Sequence, residues 1–163
     1  MLIKSARHAA AALALVLFAI PAAQAQTTAT QTATFAVNAI NQIAFVGSPS
    51  MTITTAVAGS APTSVTDALS TWAVTTNQTG AKITASIASN MPTGLTLSAT
   101  LAAPAGAAST KQALGVGAVD MVTGITKLAQ GALTVTYQLD ATVAAGVITT
   151  ATRVVTYTIT GGT

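Results

Sequence analysis

Seven strongly ionisable side chains carry whatever charge chemistry residues 26–163 can perform: Asp67, Asp120, Asp140, Lys82, Lys111, Lys127 and Arg153. The same stretch contains no histidine, no cysteine and no glutamate. Acid–base catalysis at neutral pH and tight metal binding draw mainly on the missing types. Paired carboxylates would suit glycoside cleavage. Asp67 and Asp120, however, read as loop residues, and Asp140, just past Leu139, is expected to face water. Calcium loops wrap one ion with closely spaced acids, and no Asp-x-Asp spacing occurs. A Ser–Lys dyad would have to recruit Lys82, Lys111 or Lys127 without a Gly-x-Ser-x-Gly turn. Lys82 is out of phase with Ile83, which directs it to solvent. An isopeptide bond from lysine to Asn or Asp needs the amine buried beside its partners, and nothing places Lys82 or Lys127 in a core. The chain is therefore expected to be no enzyme, with no catalytic residue, no metal ligand and no cofactor.

The N-terminus must be set apart from the elements that would position these groups. Lys4 and Arg7, with His8, precede an unbroken apolar run, Ala9–Ile20, and Pro21. Ala23-Gln24-Ala25 then offers small residues where a signal peptidase reads. Twelve apolar residues reach only about 18 Å as a helix, short of the roughly 30 Å hydrocarbon layer. Residues 1–25 therefore read as a helical secretory signal peptide cut between Ala25 and Gln26. They leave a 26–163 domain that is secreted to the periplasm, cell surface or medium, with no stable membrane insertion.

The formal charge of +3 loses Lys4 and Arg7 with the leader, leaving four basic residues against three acidic ones, a net of +1. The basic residues stand far apart, so no stripe exists to follow a phosphate backbone, and nucleic acid is not expected as a partner. Disordered chains are usually charged and poor in β-branched residues; this one is the reverse. It should fold as one domain, and without cysteines it must rely on packing and hydrogen bonds.

Thr supplies 31 of the 138 residues after the leader and mostly alternates with apolar side chains. A period of two marks strands with one buried face. Ala33, Phe35 and Val37 share a face, as do Trp72 and Val74, and Ile83, Ala85 and Ile87. Leu95, Leu97, Ala99 and Leu101 follow, then Leu133, Val135, Tyr137 and Leu139, then Val155, Tyr157 and Ile159. Ile53 alternates with Thr52 and Thr54. Turn residues separate the runs at Gly47-Ser48-Pro49-Ser50, Asn77-Gln78-Thr79-Gly80, Asn90-Met91-Pro92-Thr93-Gly94 and Ala103-Pro104-Ala105-Gly106. Leu114–Ile125, with three glycines, is ambiguous. The expected fold is all-β: a single antiparallel β-sandwich of Ig-like or Greek-key type with seven to nine strands, the alternative being a small closed barrel.

Binding candidates are few. Trp72 is the only tryptophan, and an indole suits stacking on a sugar ring; its phase with Val74 equally suits a core. Tyr137 and Tyr157 share their strands' apolar phase. Asn77-Gln78-Thr79 matches a glycosylation sequon, though a hairpin turn explains Asn77 as well. Gln26–Val37 has no charge, no Pro and no Gly, and ends in alternating apolar residues. Such a segment can serve as a first strand, or add through Ala33, Phe35 and Val37 to a sheet edge of its own or a neighbouring subunit.

With its Ala23-Gln24-Ala25 leader end, Thr-rich alternating strands and uncharged Gln26–Val37 extension, the chain resembles secreted bacterial β-sandwich surface proteins, including fimbrial and matrix-fibre subunits. It departs from chaperone–usher pilins in lacking their cysteine pair and the tyrosine next to their C-terminus, since Tyr157 lies too far in. No functional residue is carried over from them. The resemblance implies a structural or adhesive surface protein that associates with itself or other surface proteins through sheet edges. A carbohydrate- or small-ligand-binding module, with a glycan as partner, is the second expectation.

Overall fold

Alternation is most regular in Ala81–Ile87, where Ala81, Ile83, Ala85 and Ile87 are buried while Lys82, Thr84 and Ser86 are half-exposed. A pleated strand turns successive side chains to opposite faces, so this pattern needs one core and one wetted side. The computed structural model describes residues 27–163. The expected leader helix and the cleavage positions Ala23, Ala25 and Gln26 lie outside the described residues.

Nine strands follow in order: β1 (Asn41–Val46), β2 (Val65–Thr76), β3 (Ala81–Ile87), β4 (Leu95–Leu101), β5 (Ala108–Ser109), β6 (Gln112–Ala113), β7 (Val119–Ile125), β8 (Leu128–Ala141) and β9 (Val155–Thr160). They form two antiparallel sheets, ordered β1-β2-β8-β4-β6 and β5-β7-β3-β9, one of them curled into a half-barrel. The all-β expectation holds. Among the described residues the only helical element is a single 3-10 turn at Val143–Ala145, and no helix is long and apolar enough to cross a membrane.

From β2 onward every successive strand lies in the other sheet. The turn at Asn77–Gly80 is therefore a crossing between sheets and not the hairpin expected from its residues. Turn chemistry specifies a reversal of direction; it carries no instruction about which sheet the next strand joins. Leu95–Leu101 and Leu133–Leu139 are bonded neighbours, with Leu97 opposite Leu139 and Leu101 opposite Val135. Their shared phase follows from facing one core.

Both sheets feed a single buried cluster, Trp72, Leu101 and Val135 from the first and Ile83, Val122 and Ile125 from the second. Its register is broken at defined places. Met121 and Val122 are consecutive and both buried, because β7 carries extra residues against β3 around Ile83. A bulge of this kind turns two neighbouring side chains the same way. The ambiguous Leu114–Ile125 stretch is thereby resolved: its second half is strand β7.

Four expectations are corrected. Ala33, Phe35 and Val37 lie in no strand and are exposed, and the first strand begins at Asn41. Ile53 alternates with its threonines in burial, but only an isolated bridge between Ala56 and Pro62 forms nearby. Asp67 belongs to β2 and Asp120 to β7, neither to a loop. A strand needs a partner as well as a pattern, and residues 27–39 pair with no strand among the described residues.

Candidate functional site

The alternation of Ala33, Phe35 and Val37 runs on in the same parity through Ile43 and Phe45. Only the second half becomes a strand. Asn41 is the register partner of Thr76, the last residue of β2, and one further backbone bond, from the Asn77 amide to the Ile40 carbonyl at 3.3 Å, follows before the pairing stops. Asn77 ends it: its Oδ1 accepts from the Ile40 amide at 2.8 Å, and its Nδ2 donates to the Asn38 carbonyl at 2.8 Å. One side chain thus supplies a mock rung at the root of the segment. N-terminal to it Val37 is 79% exposed and Phe35 91%. Phe35 is the one exposed aromatic side chain among the described residues. The Asn77 amide nitrogen that the sequon would modify is the same atom that donates to Asn38.

β1 and β9 are the outer strands of their sheets on one side, each bonded only to its inner neighbour. Each is six residues long, without charge or proline, in uninterrupted register with its neighbour. Natural edges are usually blunted by lysine, proline, bulges or shortness. The opposite edges follow that rule, since β5 and β6 have two residues each. Yet the β1 and β9 Cα atoms approach within 8 Å, whereas two strands flanking a third stand about 9.5 Å apart. No further strand fits between them.

That seam is filled by side chains. Phe45 of β1 stacks on Tyr157 of β9 with centroids 4.0 Å apart, and Trp72, opposite Phe45 in register, lies 6.0 Å from it at 13°. The Tyr157 hydroxyl shares a 2.8 Å hydrogen bond with that of Tyr137 on β8. Burial pushes both phenols above their usual range, most strongly Tyr157, where the bond to Tyr137 adds to the rise; at Tyr137 it works against burial. Trp72 is 1% exposed and its indole N–H has no hydrogen-bond partner among the described residues. A ring so enclosed cannot serve as a sugar platform, so Trp72 is core.

The ionisable groups hold strands and loops. Asp67 Oδ1 accepts from the Leu69 amide at 3.0 Å and fixes the extra residue that β2 carries against β8. Lys82 and Asp120 pair across β3 and β7 at 2.9 Å, both about half exposed. Asp140 accepts from the Ser64 hydroxyl and from Gln138 Nε2 at 2.8 Å; these bonds, Ser64 first, hold its carboxyl below the ordinary range. Lys111 donates to Gln138 Oε1 at 2.7 Å. Arg153 grips the Asn90 carbonyl through Nε at 3.0 Å and Nη2 at 2.8 Å. Among the described residues only Lys127 leaves its charged head without a hydrogen bond or ion pair. Its backbone is held at φ 41°, left-handed and unusual for a lysine. No group of three acidic, His or Cys side chains among the described residues is placed to hold a metal.

Comparison with known protein families, curated proteins and solved structures finds no match to the chain.

Lys127 lines an open, mainly apolar groove of about 330 Å³ together with Ile40, Thr75, Thr76, Asn77, Leu128 and Ala129. Sequence reasoning missed this groove and the Asn77 bracket. Asn77 was visible as a turn residue, but its partners Asn38 and Ile40 are set by the pairing of β1 with β2.

Proposed function

We propose that this protein is an exported, non-enzymatic structural or adhesive component of the cell surface or periplasm. It associates with itself or with other surface proteins through its sheet edges and its N-terminal segment. On this reading the leader is removed before Gln26. The two sheets are the layers of one sandwich with Greek-key-like crossings, in place of the several in-sheet hairpins of an immunoglobulin order.

One observation carries the reading: the chain has an uncharged segment, unpaired among the described residues and ending in exposed Phe35 and Val37, and also two unblunted edge strands. Monomeric proteins normally suppress such features because they promote association. The ionisable residues support the non-enzymatic part, since six of the seven are engaged in holding strands and loops. The closeness of β1 and β9 argues for addition at an edge or on a face, and against insertion of a strand into the domain.

Electron microscopy and sedimentation of mature 26–163 at high concentration test the proposal. Ordered oligomers or fibres are expected, and a variant lacking Gln26–Val37, and with it the exposed Phe35 and Val37, should stay folded and monomeric. A monomeric mature protein, or assembly indifferent to that deletion, would overturn it.

A further inference from the structure

We infer that the groove bordered by Ile40, Thr75, Leu128, Ala129 and Lys127 receives the Phe35 side chain of a second copy of this chain. The inference rests on the assembly reading and names the contact that would carry it. Two unsatisfied features match in chemistry. Phe35 is 91% exposed, and an apolar ring gains free energy on leaving water. The groove is walled mainly by apolar atoms and is large enough for one aromatic side chain.

Charge selects the ring. The segment around Phe35 carries none from Gln26 to Ile40, so nothing in it repels Lys127. Lys127 is among the residues that line the groove, and its ammonium has no partner among the described residues; a cation beside an aromatic face favours a phenyl over an aliphatic group. This distinguishes Phe35 from the neighbouring exposed Val37. The left-handed backbone of Lys127 is a local strain retained in the fold, and strain of this kind collects at recognition sites. The strand ladder supplies the frame. Ala129 faces Thr75 across β8 and β2, and Asn77 brackets Ile40, so the walls are set by backbone pairing.

The chain has no cysteine, which permits a direct test. Mature protein bearing Thr34→Cys, which keeps the Phe35 ring, is mixed in unlabelled form with ¹⁵N-labelled protein bearing Ala129→Cys and mildly oxidised. Any disulfide between the two labels must join different molecules. Hetero-linked dimers well above the 1:2:1 ratio of random pairing support the contact; that statistical ratio, or no crosslink, overturns it. In parallel, sedimentation of Phe35→Ala should show self-association weakened about 10- to 100-fold. Lys127→Met should weaken it about 2- to 5-fold. If assemblies of unmodified mature protein form but ignore both substitutions, this contact falls while the assembly reading stands. If mature protein is monomeric, both fall.

Discussion

The hydroxyls of Tyr137 and Tyr157 meet at 2.8 Å and tie a central strand of one sheet to an edge strand of the other. Tyr157 also stacks on Phe45, which faces Trp72. Four aromatic rings from β1, β2, β8 and β9 thus line the seam between the unblunted edges. The pair bond satisfies both phenols where burial would otherwise leave one without a partner.

These are the only two tyrosines in the chain, so phenolate absorbance reports on this pair alone. Both folded-state pKa values are raised. Stability from the pair is therefore complete below the unfolded value of about 10 and declines as pH climbs above it. Native protein should show less phenolate absorbance near pH 10 than the unfolded chain, with the remainder appearing as the fold opens at higher pH. Tyr157→Phe should flatten this alkaline loss. A gradual titration of folded protein near pH 10 would contradict the burial described.

Asp140 gives the opposite sign. Its carboxyl is held below the ordinary range, first by the Ser64 hydroxyl, so its contribution is present above about pH 4 and is lost as pH falls through the lowered folded value. Ser64→Ala should destabilise the protein at pH 6 by about 0.5 kcal/mol or less, because the group is largely exposed and screened. At pH 2 the variant and the parent should have the same urea midpoint.

Gly94 has φ +79°, and a Cβ there would lie 2.4 Å from the Ala145 amide nitrogen. Its carbonyl accepts from the Thr142 amide at 2.8 Å, so the approach is built into the fold. Gly94→Ala must move backbone, and a loss of about 3 kcal/mol or more is expected in denaturant unfolding. Gly59→Ala, at φ +85° but with open space around it, should cost only about 1 kcal/mol.

Asn77→Ala removes both the acceptor for Ile40 and the donor to Asn38. A cost of about 1–2 kcal/mol is expected from two lost bonds in a half-exposed setting. The Ile40 amide should exchange with solvent markedly faster while amides in the centre of β2 keep their protection. Asn77→Asp retains the acceptor and should protect Ile40 while releasing Asn38.

The order of residues alone determined that this is a β protein and which side chains face inward. Ile83, Ala85 and Ile87 are buried on one face of β3, Trp72 and Val74 on one face of β2, and Leu133, Val135 and Tyr137 along β8. Alternation is a property of the pleat itself, so each strand records it locally. Tertiary structure decided what depends on distant partners. It chose which sheet each strand joins, drew Asp67 and Asp120 into strands, and brought Tyr137 to Tyr157. It also ended the ladder at Asn77, leaving Phe35 outside a strand although it keeps the parity of Phe45. Period two is written residue by residue, whereas pairing is settled by competition among all strands for neighbours and burial.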